Sequence, residues 1–373
     1  MARHYLDHAS TSPARPEVVE AMLPWLASAA DPGRVHTEGR LARMAVEEAR
    51  EQVAGLLGAR PREVVFTSGA TEAVAAAVHG ATERRSHVVC PAVEHSAVRE
   101  ASSRHEVTLV GVDGQGRVDP DELLGAVRPA ETALVHLQWA NHEVATLQPV
   151  AEAVAGCRER GVLVHVDAAA AAGHVPVDFA VLGADLLSVS AHKLGGPPGV
   201  GALLVRRGLR LRPLLVGGDQ ERARRAGTEN VAGIVGFGAA TNLLATGNHL
   251  DAEAGACRAL TERALAAATA VEGVVAYGDP AARVPHIVCV GVVGVEAEAV
   301  LLGLDQAGIA AHSGSACASE SLAPSPVLEA MGVDAQRSLR VSVGWSTTDA
   351  DVDVFAEAFP VVVARLHALA ARV

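Results

Sequence analysis

The 373-residue sequence predicts an α/β protein, with a large domain built on a mainly parallel sheet and a smaller α+β domain. Short runs of β-branched residues alternate with longer Ala-rich runs, and this alternation changes after Gly218. Because the chain is long and 50% hydrophobic, it can fill more than one core. We place the large domain at 15–248 and the smaller domain at 1–14 and 249–373.

Strands and helices alternate through the first part of the chain. The predicted strands there are Glu63–Thr67, His87–Cys90, Val107–Val110, Ala133–Gln138, Val162–Val166, Leu186–Ser190 and Ala202–Val205. The predicted helices between them are Glu72–His79, Ala97–Arg104, Pro120–Val127 and Val150–Arg160. Beyond Gly218 we predict helices at Val231–Ala245, at Ala252–Ala270 and from about Thr348, and strands at His286–Val293 and Leu339–Val343. The alternation predicts parallel strands with helices on both faces of the sheet.

Charge and cysteine usage argue against several classes of protein. A formal charge of -12 disfavours nucleic acid and anionic membranes as partners. No apolar run reaches the length of a membrane span, and the opening residues lack the pattern of a secretion signal. The five cysteines show no pairing and no metal-ligand spacing, so we expect no metal site and a reducing, cytoplasmic location.

Lysine is nearly absent from the chain. The 31 basic residues include a single lysine, Lys193, which follows the predicted strand Leu186–Ser190 and enters a Gly/Pro-rich turn beside His192. Arginine can supply positive charge, but it cannot lose a proton and attack a carbon as an amine can. An amine at a sheet edge is partly desolvated, which lowers its pKa and frees it as nucleophile and base. The alternative is a surface lysine retained by accident.

Asp167 lies near the end of VLVHVDAA, where open α/β sheets bind ligands. A carboxylate there can pair with a buried cation such as a protonated pyridine nitrogen, or it can cap the next helix. Lys193 and Asp167 together match the pairing expected for pyridoxal 5'-phosphate, which forms a Schiff base with lysine and pairs its ring nitrogen with an acid.

A third segment, EVVFTSGATEA, predicts a strand that runs into small hydroxyl residues at the start of a helix. Exposed N–H groups at a helix N-terminus make an anion site that suits a phosphate. A plain N-cap by Thr71 explains the same residues equally well. The segment alone therefore leaves both interpretations open.

Cys317 lies in AHSGSACAS, a run of small residues without apolar periodicity. We expect an exposed, mobile loop there, whose thiolate can reach into a cleft and attack. Cys90 and Cys289 lie in predicted strands, and Cys157 and Cys257 lie on Ala-rich helices. These four are predicted to be buried structural residues.

Arg340 precedes a predicted strand in RSLRVSVGW. A guanidinium group there could hold a substrate carboxylate with two hydrogen bonds. The alternative is a surface ion pair.

Taken together in chain order, these segments resemble the cysteine desulfurases of the class V aminotransferase family, over nearly the whole chain from Tyr5 to Thr348. The motifs that match are TSGATE at 67–72, EH at 94–95, NNE against 141–143, HVDA at 165–168, SxHK at 190–193, RxGTxN at 225–230 and SGSAC at 313–317. The SGSAC form is similar to the branch related to iron–sulfur-cluster assembly enzymes.

The resemblance implies a fold type I homodimer that uses pyridoxal 5'-phosphate, with the site between its domains. It implies that L-cysteine, or a related amino acid, gives its sulfur to Cys317 as a persulfide and leaves as L-alanine, and that an acceptor protein can take the sulfur. Lys193 would take the α-proton, His95 would stack on the cofactor and assist proton transfer, and Arg340 would bind the substrate carboxylate. The other implied contacts are Ala70, Thr71, Asp167, Ser190 and His192 for the cofactor, Asn141 for cofactor and substrate, and Thr228 for the phosphate in the partner subunit.

Five positions depart from the family pattern. Ala170 replaces a Gln that donates to the cofactor's phenolic oxygen, which should raise the pKa of the Schiff base unless another donor substitutes. His142 and Asp31 each replace an Asn, Trp345 replaces an Arg and Asp219 replaces a Gly. Because of these changes, a second interpretation remains: a class V enzyme that catalyses another reaction, such as β-elimination, transamination or epimerisation of another amino acid. A third interpretation is a protein that has lost catalysis and acts as a binding scaffold. The retained lysine, Lys193, disfavours it.

Overall fold

The computed structural model describes residues 3–29, 31–83, 85–313 and 324–370. The strands are β1 His4–Tyr5, β2 Val64–Thr67, β3 His87–Pro91, β4 Glu106–Val110, β5 Thr132–Gln138, β6 Leu163–Asp167, β7 Leu186–Ser190, β8 Gly201–Val205, β9 Val274–Tyr277, β10 Ile287–Val292, β11 Ile309–Ala310 and β12 Ser338–Ser342. The helices are α1 Pro16–Leu26, α2 Thr37–Leu56, α3 Ala70–Ala81, α4 Ser96–Ser102, α5 Pro120–Gly125, α6 Val150–Glu159, α7 Phe179–Leu182, α8 Gln220–Ala223, α9 Val231–Ala245, α10 His249–Thr269, α11 Ala297–Gln306, α12 Pro326–Ala330 and α13 Asp349–Ala370. In the described ranges, no helix combines the length and apolar character that crossing a membrane requires.

The central sheet has seven strands among the described residues, in the order β2-β8-β7-β6-β5-β3-β4. Strands β7, β6, β5, β3 and β4 pair in parallel, whereas β8 is antiparallel to both β7 and β2. Every strand except β8 therefore runs in one direction. The predicted mainly parallel sheet is confirmed, and the carboxyl ends of β2, β5, β6 and β7 meet along one edge.

A smaller antiparallel sheet, β12-β10-β9, packs against the C-terminal helices. Its hydrophobic core includes Leu6, Leu339, Phe355 and Phe359, all almost fully buried. Strand β1 pairs in parallel with β11, so the N-terminal residues fold back onto the C-terminal part of the chain. The division of the chain into domains at 15–248 and at 1–14 with 249–373 remains a prediction.

Helices α1 and α2 precede the first strand of the central sheet and are absent from the sequence prediction. The buried stripe of α2 consists largely of small residues, among them Ala42, Ala49 and Ala54. Small residues let α2 approach α9 closely. A Cβ added to Gly238 of α9 would lie 2.7 Å from the Cα of Ala49. Close backbone packing, rather than large side chains, therefore determines this contact.

A buried ion pair fixes the strand that leads to the main cavity. Both carboxylate oxygens of Glu221 accept hydrogen bonds from Arg50 of α2, at 2.8 and 2.7 Å. The backbone N–H of Phe66 in β2 also donates to Glu221, at 2.9 Å. The backbone at Glu221 is left-handed, with φ of 46°. This carboxylate joins α2, β2 and the segment around α8, so we infer that it maintains the entry to the site.

We predict that Glu221→Ala lowers the free energy of unfolding by about 3–5 kcal/mol, because the Arg50 charge stays buried without its partner. Both side chains are only 3% exposed. Urea denaturation measures the change. Asp305→Ala, which removes an exposed ion pair with Arg3, is the control and should cost at most about 1 kcal/mol. Equal losses in the two variants would contradict a special role for Glu221.

Candidate active site

A cavity of about 450 Å³ opens at the carboxyl edge of the central sheet. Its walls come from the ends of β5, β6 and β7, the turn between β2 and α3, the N-terminal segment and one side chain of β12. This is the edge at which open α/β sheets place their ligands, because loops and side chains diverge there beyond the last backbone hydrogen bonds. The fold thus gathers polar residues from distant parts of the sequence around one space.

Lys193 lies in a 3-10 turn, Ala191–Leu194, directly after β7. Its Nζ donates hydrogen bonds to the carbonyl oxygens of Ala9 and Ser10, the second at 2.9 Å. Burial, with a smaller contribution from the positive charge of Arg340, lowers the pKa of Lys193 from 10.5 to about 8. With this pKa about a tenth of the amine is unprotonated at pH 7, far more than in an ordinary lysine, and the unprotonated amine is the nucleophile.

Asp167 ends β6 and is 8% exposed. Its Oδ1 accepts hydrogen bonds from the Ser188 hydroxyl and from the backbone N–H of Ala169, both at 3.0 Å. Its Oδ2 has no hydrogen bond to any residue that the structure describes. One oxygen holds the carboxylate in place, and the other is left for a ligand in the cavity.

The turn between β2 and α3 presents a helix N-terminus to the same cavity. Ser68, Gly69, Ala70 and Thr71 all line it. Gly69 occupies the N-cap position with φ of 156°, and no side chain caps the helix. The first N–H groups of α3 therefore remain available to an anion, which the helix dipole also favours. Thr71 is the second helical residue rather than the N-cap, so its interpretation as a plain cap is wrong.

Two histidines form a neutral wall of the cavity. His95 caps α4 by accepting the N–H of Ala97 at Nδ1, 3.1 Å away, and its ring meets that of His142 edge to face at 4.9 Å. Burial is the main cause that lowers the pKa of His95 to about 4. Burial, and then Arg340, lower the pKa of His142 to about 3. Both rings are uncharged at neutral pH.

Arg340 of β12 is only 2% exposed, so its interpretation as a surface ion pair is wrong. One terminal nitrogen donates to the carbonyl oxygen of His142 at 2.8 Å. The other donates to Asp7 at 3.0 Å and to the Ser10 hydroxyl at 2.7 Å. Its Nε is buried without a hydrogen-bond partner in the described part of the chain. These contacts hold the guanidinium group in one orientation at the wall of the cavity.

The cavity brings together most of the residues predicted from the sequence. The predicted residues that line it are Ala70, Thr71, His95, Asp167, Ser190, His192, Lys193 and Arg340. Thr228 is exposed on the segment that follows α8 and does not line this cavity. Cys317 lies outside the described residues. The roles of all these residues remain predictions.

Asn141 is buried behind the cavity rather than in its wall. Its Oδ1 accepts the backbone N–H groups of Glu143 and Val144, both at 2.8 Å, and its Nδ2 donates to the carbonyl oxygen of Val93 at 3.2 Å. This amide stabilises the turn after β5. The next residue, His142, lines the cavity instead. Adjacent polar residues point in different directions in a turn, and the sequence alone does not show which one faces inward.

The N-terminal segment contributes residues that the sequence analysis missed. Ala9 and Ser10 line the cavity, and Asp7 pairs with Arg340. Their backbone carbonyl groups carry no sequence signal, and the pairing of β1 with β11 brings them into place. Gln138, at the end of β5, lines the cavity as well. It belonged to a predicted strand and could have been found as a strand-end residue.

The departures from the family pattern separate into two groups. Ala170 and His142 line the cavity, whereas Asp31, Asp219 and Trp345 do not. Only the first two can contact a molecule bound there without a change in structure.

The four cysteines predicted to be structural are buried in strands and helices, which confirms their placement. Burial raises the pKa of Cys157 to about 11 and that of Cys257 to about 12. It also raises the pKa of Cys90 and Cys289 well above the ordinary thiol value. These thiols remain protonated and are unsuited to nucleophilic attack.

We predict that the Lys193 amine reacts with a small aldehyde, in the presence of cyanoborohydride, with a midpoint near pH 8. The reason is that its pKa is lowered from 10.5 to about 8 in the folded chain. Adduct at Lys193, quantified by peptide mass spectrometry, should rise with pH and level off above that midpoint. In urea the midpoint should return toward 10.5, and Lys193→Arg should show no adduct at this position. A midpoint near 10.5 in the folded protein would contradict the desolvated amine.

Comparison with known proteins places the chain in a family. The model of the aminotransferase class-V family matches residues 4–355. A cysteine desulfurase of Trichormus azollae is 43% identical, with 98% of this chain and 94% of that protein covered. A cysteine desulfurase IscS of Dictyoglomus turgidum is 39% identical, with 98% and 95% covered.

Solved structures show the same fold. A NifS-like protein superposes with a TM-score of 0.90 at 31% identity, covering 98% of this chain and 100% of that one. The structure described as SspA in complex with cysteine has a TM-score of 0.81 at 30% identity, covering 91% and 99%. The chain therefore belongs to the aminotransferase class-V family and, within it, to the cysteine desulfurases.

Proposed function

We propose that this protein is a pyridoxal 5'-phosphate-dependent cysteine desulfurase, which transfers sulfur from L-cysteine to Cys317 and releases L-alanine. The observation that carries the proposal is the joint placement of Lys193 and Asp167 in one cavity. The first is an amine with a pKa of about 8, and the second offers an unused carboxylate oxygen. This is the donor set that the cofactor's aldehyde and ring nitrogen require.

The residues present fit each part of the cofactor. Lys193 would hold its aldehyde carbon covalently, and Asp167 would pair with its protonated ring nitrogen. The uncapped start of α3, at Ala70 and Thr71, would bind its phosphate. The neutral ring of His95 would lie against its ring face, and Ser190 and His192 would complete the contacts. When bound, the cofactor supplies a sink for the electron pair left at the substrate α-carbon.

The side chains of this cavity can bind an amino acid and move its α-proton. Arg340 would hold the substrate carboxylate with its oriented guanidinium group. The amine of Lys193, when it is not bound to the cofactor, could accept the α-proton, since burial lowers its pKa to about 8. His95, uncharged at neutral pH, can accept or return a proton beside it.

Cys317 would act as the nucleophile toward the substrate sulfur. A bond between the two sulfur atoms forms while the substrate carbon–sulfur bond breaks, and the electron pair of that bond passes to carbon. Protonation of this carbon yields alanine, and the persulfide remains on Cys317. His312, five residues earlier, lines the cavity.

A second candidate function is a class V enzyme that acts on another amino acid. The specific observation in its favour is that Ala170 and His142, both departures from the family pattern, line the cavity. Changed side chains at a substrate-facing wall alter which substrates fit. L-cysteine remains the first candidate because the relatives named above are cysteine desulfurases.

We further propose that the protein forms a homodimer, and that a separate acceptor protein receives its sulfur. Helices α1 and α2 expose large apolar side chains: Leu23 at 58%, Leu26 at 64%, Leu41 at 52% and Met44 at 67%. Such a surface is typical of a protein–protein interface. The exposed Thr228 would reach the cofactor phosphate in the partner subunit. A cytoplasmic location remains a prediction.

We predict that the purified protein releases sulfide and alanine in equal amounts from L-cysteine when a reductant is present. Cys317→Ser should stop sulfide release while the cofactor stays bound, because Lys193 is unchanged. Cys257→Ser, which removes a buried thiol, is the matched control and should remain active. An amino-acid panel with product analysis by mass spectrometry completes the test. Undiminished sulfide from Cys317→Ser, or turnover of another amino acid alone, would favour the second function.

We predict that Thr228→Ala weakens cofactor binding roughly ten- to hundredfold, because one hydrogen bond to a charged phosphate is lost. Lys193→Ala should abolish the covalent adduct. In a mixed dimer of these two variants, one site carries both changes and the other carries neither. Mixing should therefore restore one tight site per dimer, measured by cofactor titration. Failure to restore any tight site in a verified mixed dimer would contradict the shared site.

A further inference from the structure

Side chains from outside the turn hold the backbone that carries Lys193. Nε2 of His174 lies 3.2 Å from the carbonyl oxygen of Lys193, and Nε of Arg15 donates to that of Leu194 at 3.2 Å. A carbonyl oxygen can only accept a hydrogen bond, so the His174 ring carries its hydrogen on Nε2 and donates it. The peptide bond that follows Lys193 is therefore fixed by a residue from the turn after β6.

Two contacts fix the His174 ring in this place. Gly173 has a left-handed backbone with φ of 83°, and a Cβ there would lie 2.6 Å from the Cβ of Leu194, so only glycine lets the two turns approach this closely. The ring stacks on that of His286, which comes directly before β10, with centroids 3.5 Å apart and ring planes inclined by 14°. Both histidines are buried. The donor is therefore oriented before any ligand binds.

The two stacked rings are uncharged at neutral pH. Burial lowers the pKa of His174 to about 4, and burial, followed by the neighbouring His174, lowers the pKa of His286 well below its ordinary value. The other titratable groups that act on the pair all carry positive charge when protonated: His8, Arg15, Lys193 and Arg340. A second proton on either ring is therefore disfavoured, and His174 keeps the single N–H that the carbonyl oxygen of Lys193 accepts.

We propose that His174 is a positioning residue for the Lys193 amine: by holding the carbonyl oxygen of Lys193, it fixes the turn from which the amine reaches the bound cofactor. His174 does not line the main cavity, so it acts on a bound molecule only through Lys193. His286 supports the donor by stacking on its ring. The inference rests on the proposed function, because orientation of the amine matters only when it must meet an aldehyde that is itself held in place.

The test compares His174→Phe with His174→Gln in the full-length protein. The Phe variant keeps a ring to stack on His286 but has no N–H donor, whereas the amide nitrogen of Gln can take the place of Nε2. After removal of cofactor, capture of added pyridoxal 5'-phosphate by Lys193 is followed by borohydride reduction and peptide mass spectrometry. Reaction of Lys193 with acetaldehyde and cyanoborohydride measures the amine without any demand on its orientation. KM and kcat for L-cysteine are measured in the holoenzyme.

We expect His174→Phe to slow pyridoxal 5'-phosphate capture and to lower kcat, each roughly tenfold, while the acetaldehyde reaction and KM stay within about twofold of the wild type. His174→Gln should recover most of both losses. His136→Phe is the matched control, since it makes the same substitution at a buried histidine of β5 that pairs with His165 at 2.9 Å. It should lower thermal stability without slowing capture.

Three results would overturn the inference: a Phe variant that captures the cofactor at the wild-type rate, one that reacts more slowly with both aldehydes to the same extent, or a Gln variant as impaired as Phe. Thermal unfolding shows whether each variant folds. If His174→Phe does not, His174→Asn, whose shorter amide does not reach the carbonyl oxygen, replaces it with the same expectations. A wild-type protein that captures no pyridoxal 5'-phosphate would contradict the proposed function and this assignment together. Normal capture without sulfide release would contradict the proposed function, and the capture rates would still decide the role of His174.

Discussion

The desolvated amine of Lys193 is the feature on which the site depends. Its partners are two backbone carbonyl oxygens, those of Ala9 and Ser10, which can hold an ammonium group without neutralising it. Burial, and then the charge of Arg340, favour the uncharged form, while the carboxylates of Asp7 and Asp167 favour the charged form less strongly. The balance leaves an amine that is reactive near neutral pH. No arginine could replace it in this position.

The architecture explains how such an amine is assembled from distant segments. Parallel strands bring the ends of β6 and β7 to one edge, which places Asp167 and Lys193 in the same cavity. The pairing of β1 with β11 then supplies the carbonyl groups that hold the amine. Arg340 reaches the cavity from β12 and is oriented by Asp7 of the N-terminal segment. Each contact joins parts of the chain that are remote in sequence.

The sequence predicted the strands of the central sheet, Lys193 and Asp167, because β-branched runs and strand-end residues have local signatures. It could not separate Asn141 from His142, since the direction of each side chain depends on the turn after β5. It could not find the carbonyl groups of Ala9 and Ser10, because a backbone contact leaves no trace in residue type. Tertiary packing, rather than local preference, determines these features. Helix α2 is different: its buried residues repeat at helical spacing along one face, so the sequence pattern could have predicted it.

Convergence of Lys193 and Asp167 on one bound molecule is the central claim, and a crystal structure of the protein with pyridoxal 5'-phosphate tests it most directly. The account predicts continuous electron density from Lys193 Nζ to the cofactor, with the ring nitrogen within hydrogen-bond distance of Asp167 Oδ2. It also predicts that Nζ leaves the carbonyl oxygens of Ala9 and Ser10. A cofactor bound elsewhere, or one lying in the cavity while Lys193 keeps its carbonyl partners, would contradict it.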